Sequence, residues 1–160
     1  MTSDGEALRL ESVTKAFAGH VAVRELSLVV PRGSVFGLLG PNGAGKTTTL
    51  RMVMDVLALD SGRVFVLGRP ADAAARDRIG YMPEERGLYP RMQVDEQLGF
   101  LGELKGLRRA EALRRATPWL ERLGLLEWRR RKLNELSKGM QQKVQLVATL
   151  LHQPEVLILD

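Results

Sequence analysis

An α/β fold is predicted by three observations. Ser34–Leu39 is a nearly all-apolar run, Gly40–Gly45 is a glycine-rich turn leading straight into a helical stretch, and a second apolar run, Val156–Leu159, ends in Asp160. Short apolar runs of this kind suit strands buried on both faces, as in a parallel sheet. Strand, turn, helix and strand in this order build a sheet covered by helices.

The elements follow in chain order. Leu8–Val13 and Glu25–Val30 read as strands, the second closed by the turn Pro31-Arg32-Gly33. After the apolar run at 34–39 and its glycine turn, Lys46–Leu57 reads as a helix. Arg63–Leu67 returns as a strand between Ser61-Gly62 and Gly68. From about Gln93 to Leu126 the leucines take helical spacing among charges, so a helical subdomain at roughly 88–136 interrupts the sheet. Ser137 caps a further helix to Leu151, Pro154 stops it, and the last strand follows.

Composition narrows the class. The 160 residues are 44% hydrophobic and 27% charged, as in a globular protein with a real core. There is no cysteine and there are two histidines, which excludes a disulfide framework and argues against a zinc cluster. The N-terminus lacks the pattern of a secretory signal, and no apolar run reaches the roughly 20 residues that span a bilayer. The net charge of +5 is concentrated between Arg108 and Lys132, where nine cations face three glutamates. Charge runs of this kind are usually solvated, so this one reads as a solvated helix face, and nucleic acid is not an expected partner.

Gly40-Pro41-Asn42-Gly43-Ala44-Gly45-Lys46-Thr47 fits the Walker A pattern GxxxxGK[ST]. Glycines let the backbone turn tightly so that successive N–H groups converge on a phosphate, and the helix that follows points its positive end at the same anion. Lys46 would supply a full charge to the β- and γ-phosphates, the Thr47 hydroxyl would be a ligand for Mg²⁺, and Thr48 is counted among the nucleotide-binding residues. The fold expected is therefore a P-loop NTPase core, a parallel sheet plus N-terminal antiparallel strands, with an inserted helical subdomain. A nucleotide and Mg²⁺ are the cofactors expected of this segment, which by itself fits a kinase, a GTPase or an ATP-driven transporter motor.

Two further segments narrow the family. Leu136-Ser137-Lys138-Gly139-Met140-Gln141-Gln142-Lys143 resembles the signature segment LSGGQQQR of ABC ATPases, and Val156–Asp160 resembles their Walker B strand. With the Walker A segment upstream, the chain resembles the ATP-binding subunit of an ABC transporter along nearly its whole length. The resemblance implies that Phe17 stacks on adenine, that Glu84 lies in the Q-loop, and that Asp160 holds Mg²⁺ with Thr47 and Glu84. It also implies that Ser137, Lys138 and Gly139 reach the γ-phosphate of a second nucleotide-binding domain, arranged head to tail as a homo- or heterodimer. A membrane permease subunit would be the other partner, placing the chain peripherally on the cytoplasmic face of the plasma membrane.

Departures from the family pattern are informative. Glu84 stands where a glutamine is usual, and Lys138 and Met140 replace a glycine and a glutamine of the signature. The Pro83–Tyr89 run with a Ser-Lys-Gly signature resembles the branch of multidrug and sodium exporters. In the family a glutamate follows the Walker B aspartate, and a D-loop and a switch histidine come later. The sequence reads only to Asp160, and His20 and His152 precede it, so no catalytic residue is expected within these residues and hydrolysis by them alone is expected to be poor. They are read as C-terminally truncated, with an exposed sheet edge and marginal stability. A soluble ABC ATPase of translation or DNA repair, or a non-catalytic nucleotide-binding fragment, are the alternative readings.

Overall fold

The computed structural model describes residues 5–84 and 87–160. They form two compact units, the first running to Ile79 and the second starting at Gly80.

The first unit is built on a long hairpin. Strand β1 (Glu6–Phe17) pairs antiparallel with β2 (His20–Pro31) through the two-residue turn Ala18-Gly19, whose φ angles are 42° and 85°. Two consecutive left-handed residues make the turn whose twist matches that of the strands. Strand β3 (Ser61–Val66) pairs with the other edge of β1, and the short β4 (Arg69–Pro70) extends the sheet in the order β2-β1-β3-β4. The hairpin is bulged at Ser12 and Glu25, where φ is 46° and 44° and the register shifts. Side chains meet the displaced amides: Ser12 N donates to Ser27 Oγ (2.9 Å), and Glu25 N to Thr14 Oγ1 (3.0 Å).

One face of this sheet is apolar. Leu8, Leu10, Val13, Val23, Val64 and Val66 are buried there, as are Met52 and Val53 of helix α1 (Lys46–Val53), which packs on β2 and β3. The other face is a charge-aromatic ladder, with the Arg9 guanidinium 4.1 Å above the Phe65 ring and Glu11 paired to both Arg9 and Arg63. A single turn, α2 (Ala73–Arg76), follows β4, and Asp72 caps it by accepting from Ala75 N at 2.8 Å.

The apolar run 34–39 does not form the expected buried strand. It is irregular, with Val35 104% and Leu39 92% exposed. A strand needs a neighbour for its N–H and C=O groups, and among the described residues no strand runs beside this one. Helix α1 likewise ends at Val53 rather than Leu57.

The second unit places strand β5 (Ile79–Met82) beside β6 (Val156–Leu159), with the helices between them. A crossover of this length is what neighbouring strands of an α/β sheet require. The helical stretch divides into α3 (Val94–Leu104) and α4 (Arg109–Arg122), broken where Gly106 takes φ 79°. With α5 (Lys138–Leu150) they enclose a core of Val94, Leu98, Ala116, Leu120, Val144 and Val147. Gly102 lets α3 approach α4 closely, because a Cβ there would lie 2.3 Å from that of Ala112.

Much of the basic run is paired rather than merely solvated. Arg129 Nε donates to the Asp95 carboxylate (2.9 Å), and the carbonyls of Arg129 and Arg131 accept from the first amides of α3, Asp95 N and Val94 N. Arg115 donates to the Leu151 carbonyl at 3.0 Å, meeting the C-terminal end of α5. Arg114 and then Arg115 hydrogen-bond Glu111 and hold its carboxyl down to about 2 from an ordinary 4.5.

Leu120→Ala should lower the unfolding free energy by about 2–5 kcal/mol in urea titration, since a fully buried leucine leaves a cavity. Because the folded-state value of Glu111 is depressed, its ion pairs support α4 above the unfolded value and are lost as pH falls towards 2. A carboxyl-carbon NMR titration should give a midpoint near 2, and one near 4.5 would contradict the pairing.

Candidate nucleotide-binding site

Sequence forces the loop 40–45 into a tight turn. Gly43 and Gly45 both take φ 82°, Ala44 N donates to Pro41 O (3.2 Å), and a Cβ at Gly40 would already press on Ala44. The loop is seated hard on β2: a Cβ at Gly45 would lie 2.4 Å from the Ala22 carbonyl oxygen and 2.9 Å from Val23 Cγ2. Only glycine meets both demands at position 45.

Gly45 is also the N-cap of α1. No side chain caps this helix and its first turn has no acidic residue, so its positive end faces the loop uncompensated. Lys46 Nζ folds over the loop and donates to the carbonyls of Gly40 (2.8 Å) and Pro41 (2.9 Å). Thr49 fastens the first turn by donating to Gly45 O at 2.9 Å, which leaves Thr47 and Thr48 at the start of the helix beside Lys46.

Phe17 lies at the same end of the hairpin. It pairs with His20 next to the turn, and the residue is 46% exposed. The β2 residues that receive Gly45 are Ala22 and Val23, a few positions further along the same strand. The first unit thus gathers an aromatic ring, a glycine cradle, an ammonium and a helix N-terminus.

The second unit gathers the remaining predicted residues. Asp160 N donates to Met82 O (3.0 Å), and Tyr81 Oη donates to an Asp160 carboxylate oxygen (3.0 Å), so this aspartate is held beside the strand that leads to Glu84. Glu84 is exposed just past β5, and the neighbouring Glu85 lies outside the described residues. Ser137 caps α5 by accepting from Met140 N at 3.3 Å, and Lys138 and Gly139 stand exposed at its start.

Sequence reasoning missed three polar anchors here. Gln141 Nε2 donates to the carbonyls of Leu133 (2.8 Å) and Leu136 (3.0 Å), fixing the turn before Ser137. Gln145, buried on α5, donates to Pro83 O (3.0 Å), and Gln97, fully buried on α3, accepts from Tyr89 N (2.8 Å). Pro83 and Tyr89, before and after Glu84 in sequence, are thus each bonded to a buried glutamine. A glutamine on the apolar face of α5 was the available signal. No group of three His, Cys, Asp or Glu side chains forms a metal cluster among the described residues.

The sequence pattern of the ABC transporter family matches residues 23–160. The chain belongs to this family. It is 48% identical over 153 residues to the ABC transporter ATP-binding protein YhaQ of Bacillus subtilis, covering 96% of this chain and 51% of that protein. The linearmycin resistance ATP-binding protein LnrL of the same organism is 40% identical over 157 residues, covering 96% of this chain and 50% of LnrL. Among solved structures, cbiO1 of Clostridium perfringens, part of the ABC transporter complex cbiONQ, superposes with a TM-score of 0.86. Its sequence identity is 26%, and the match covers 98% of this chain and 65% of cbiO1. The chain spans about half the length of the curated relatives it matches. These similarities establish the α/β ABC ATPase fold, whose family binds and hydrolyses ATP.

Gly45→Ala should weaken ATP binding at least tenfold by calorimetry, because both the backbone angle and the Ala22 contact forbid a side chain. Gly43→Ala, where nothing lies within 4 Å, tests the angle alone and should cost only about 1 kcal/mol.

Proposed function

We propose that the chain is the ATP-binding part of the motor subunit of an ABC transporter, and that the motor serves an exporter. The cradle seated on β2, at the positive end of α1, is the observation that carries the ATP-binding reading. In this reading Gly40–Thr48 hold the phosphates through backbone N–H groups and the Lys46 ammonium, and Phe17 stacks on the adenine. The donor set suits Mg²⁺ rather than a transition metal: the Thr47 hydroxyl and the Glu84 and Asp160 carboxylates are hard oxygen ligands, and the chain has no cysteine. Mg²⁺ would supply charge neutralisation at the phosphates. Tyr81 would keep the Asp160 carboxylate aimed by occupying one of its oxygens.

A second nucleotide-binding domain would receive Ser137, Lys138 and Gly139, which stand exposed at the N-terminus of α5. A permease would be the membrane-crossing partner, a reading supported by membership of the ABC transporter family. In this reading the chain would work at the cytoplasmic face of the membrane. Export is favoured by the relatives' names, linearmycin resistance for LnrL and probable multidrug transport for YbhF of Escherichia coli, 35% identical over 156 residues.

Orienting the attacking water requires a group beyond those that bind the phosphates. None of the residues assigned here has that role, so a polypeptide of these 160 residues should bind ATP and turn it over poorly.

Calorimetry with MgATP tests the reading. The chain should bind, Lys46→Ala should lose at least tenfold in affinity, and Thr47→Ala should lose the dependence on Mg²⁺. Absence of binding, or an unaffected Lys46→Ala variant, would sink the ATP reading. Turnover by the same polypeptide of about 1 s⁻¹ or faster, abolished in Lys46→Ala, would sink the claim of poor hydrolysis.

A further inference from the structure

The ladder between β1 and β3 ends at Thr14 and Ser61, yet β1 continues for three more residues to Phe17. Along that overhang, β2 pairs one edge only. On the other edge a single side chain stands in for the missing strand. Asp60, the residue just before β3, accepts from Ala16 N at 2.7 Å through Oδ2 and from Lys15 Nζ at 2.7 Å through Oδ1. Its own N–H donates to Thr14 O at 2.9 Å. One residue thus fastens positions 14, 15 and 16 in succession.

Lys15 carries the restraint to the ring. Its side chain is only 14% exposed, and its ammonium lies 5.5 Å from the centroid of Phe17 while paired to Asp60. A cation over an aromatic face is attracted by the ring quadrupole and resists rotation of the ring away from it. The turn beyond Phe17, Ala18-Gly19, is exposed and supplies no comparable support. The Asp60 carboxyl is held below its ordinary value, first by the Lys15 hydrogen bond and then by the Ala16 amide, so it is charged near neutral pH.

We propose that Asp60 and Lys15 are positioning residues for nucleotide recognition: together they fix the strand end and ring orientation of Phe17, and so set the part of the affinity that comes from the base. This rests on the reading that Phe17 stacks on adenine. The phosphates are gripped by the cradle, whose contacts with β2 lie at Ala22 and Val23, so a loosened Phe17 should leave phosphate binding intact. A purely structural role for the pair would instead weaken both.

Calorimetry on the whole 160-residue chain separates these cases, with ATP and inorganic triphosphate as the two ligands. Asp60→Ala should weaken ATP by about 3- to 10-fold, the size expected for removing one hydrogen-bonded restraint, and leave triphosphate within about twofold. Lys15→Met, which keeps the apolar stem and removes the ammonium, should show the same split at smaller size. Asp60→Asn, which still accepts from Ala16 N, should recover part of the loss. The double variant Asp60→Ala/Phe17→Ala should bind ATP no more weakly than Phe17→Ala alone, because both changes remove the same stacking. Equal loss of ATP and triphosphate in Asp60→Ala, or full additivity with Phe17→Ala, would overturn the proposal. If Phe17→Ala splits the two ligands and Asp60→Ala does not, the clamp fails and the stacking reading survives. If Phe17→Ala itself leaves the ATP-to-triphosphate ratio unchanged, the stacking reading fails and the clamp falls with it. Should Asp60→Ala not fold, Lys15→Met carries the same test, and an unchanged ratio there overturns the clamp.

Discussion

The contact of Gly45 with the Ala22 carbonyl fixes where the phosphate cradle sits, and the rest of the first unit serves that contact. A loop of six residues has no core of its own, so it takes its shape from what it rests on. Here it rests on β2, which is held by a bulged hairpin whose displaced amides are met by serine and threonine hydroxyls. The apolar face of that sheet holds α1, which puts a helix N-terminus behind the loop. Phe17 reaches the same end because it terminates the other arm of the hairpin. Cradle, helix and ring are positioned by one piece of β-structure.

The second unit uses buried amides where the first uses a close backbone contact. Gln145 and Gln97 reach Pro83 and Tyr89 from two different helices, one of them the helix that begins at Ser137. A buried glutamine is expensive unless bonded: Gln145 spends its Nε2 on the Pro83 carbonyl, and Gln97 spends its Oε1 on the Tyr89 amide. The arrangement links Ser137, Glu84 and Asp160 through α5, Pro83 and the β5–β6 pair.

The parts of the site that were legible in the sequence are those whose chemistry is local. Gly43, Gly45 and Lys46 sit within four positions, and the serine cap at 137 precedes its helix directly, so spacing alone predicted both. The family resemblance supplied the expectations for Phe17 and Asp160, which no short window encodes. The apolar run 34–39 misled because periodicity reports side-chain character and cannot supply a pairing strand. Asp60 lies 44 residues from Ala16, and Gln145 lies 62 residues from Pro83. Such pairs exist only once the chain has folded, and no periodicity announces them.

The most direct test of the account is amide chemical-shift mapping of the chain during titration with MgATP. The account predicts that the largest shifts fall on Gly40–Thr48 and on Phe17, with the central residues of α4 unmoved. Saturable binding with shifts elsewhere, or with Gly43–Thr48 unperturbed, would contradict the claim that the cradle on β2 is the nucleotide site.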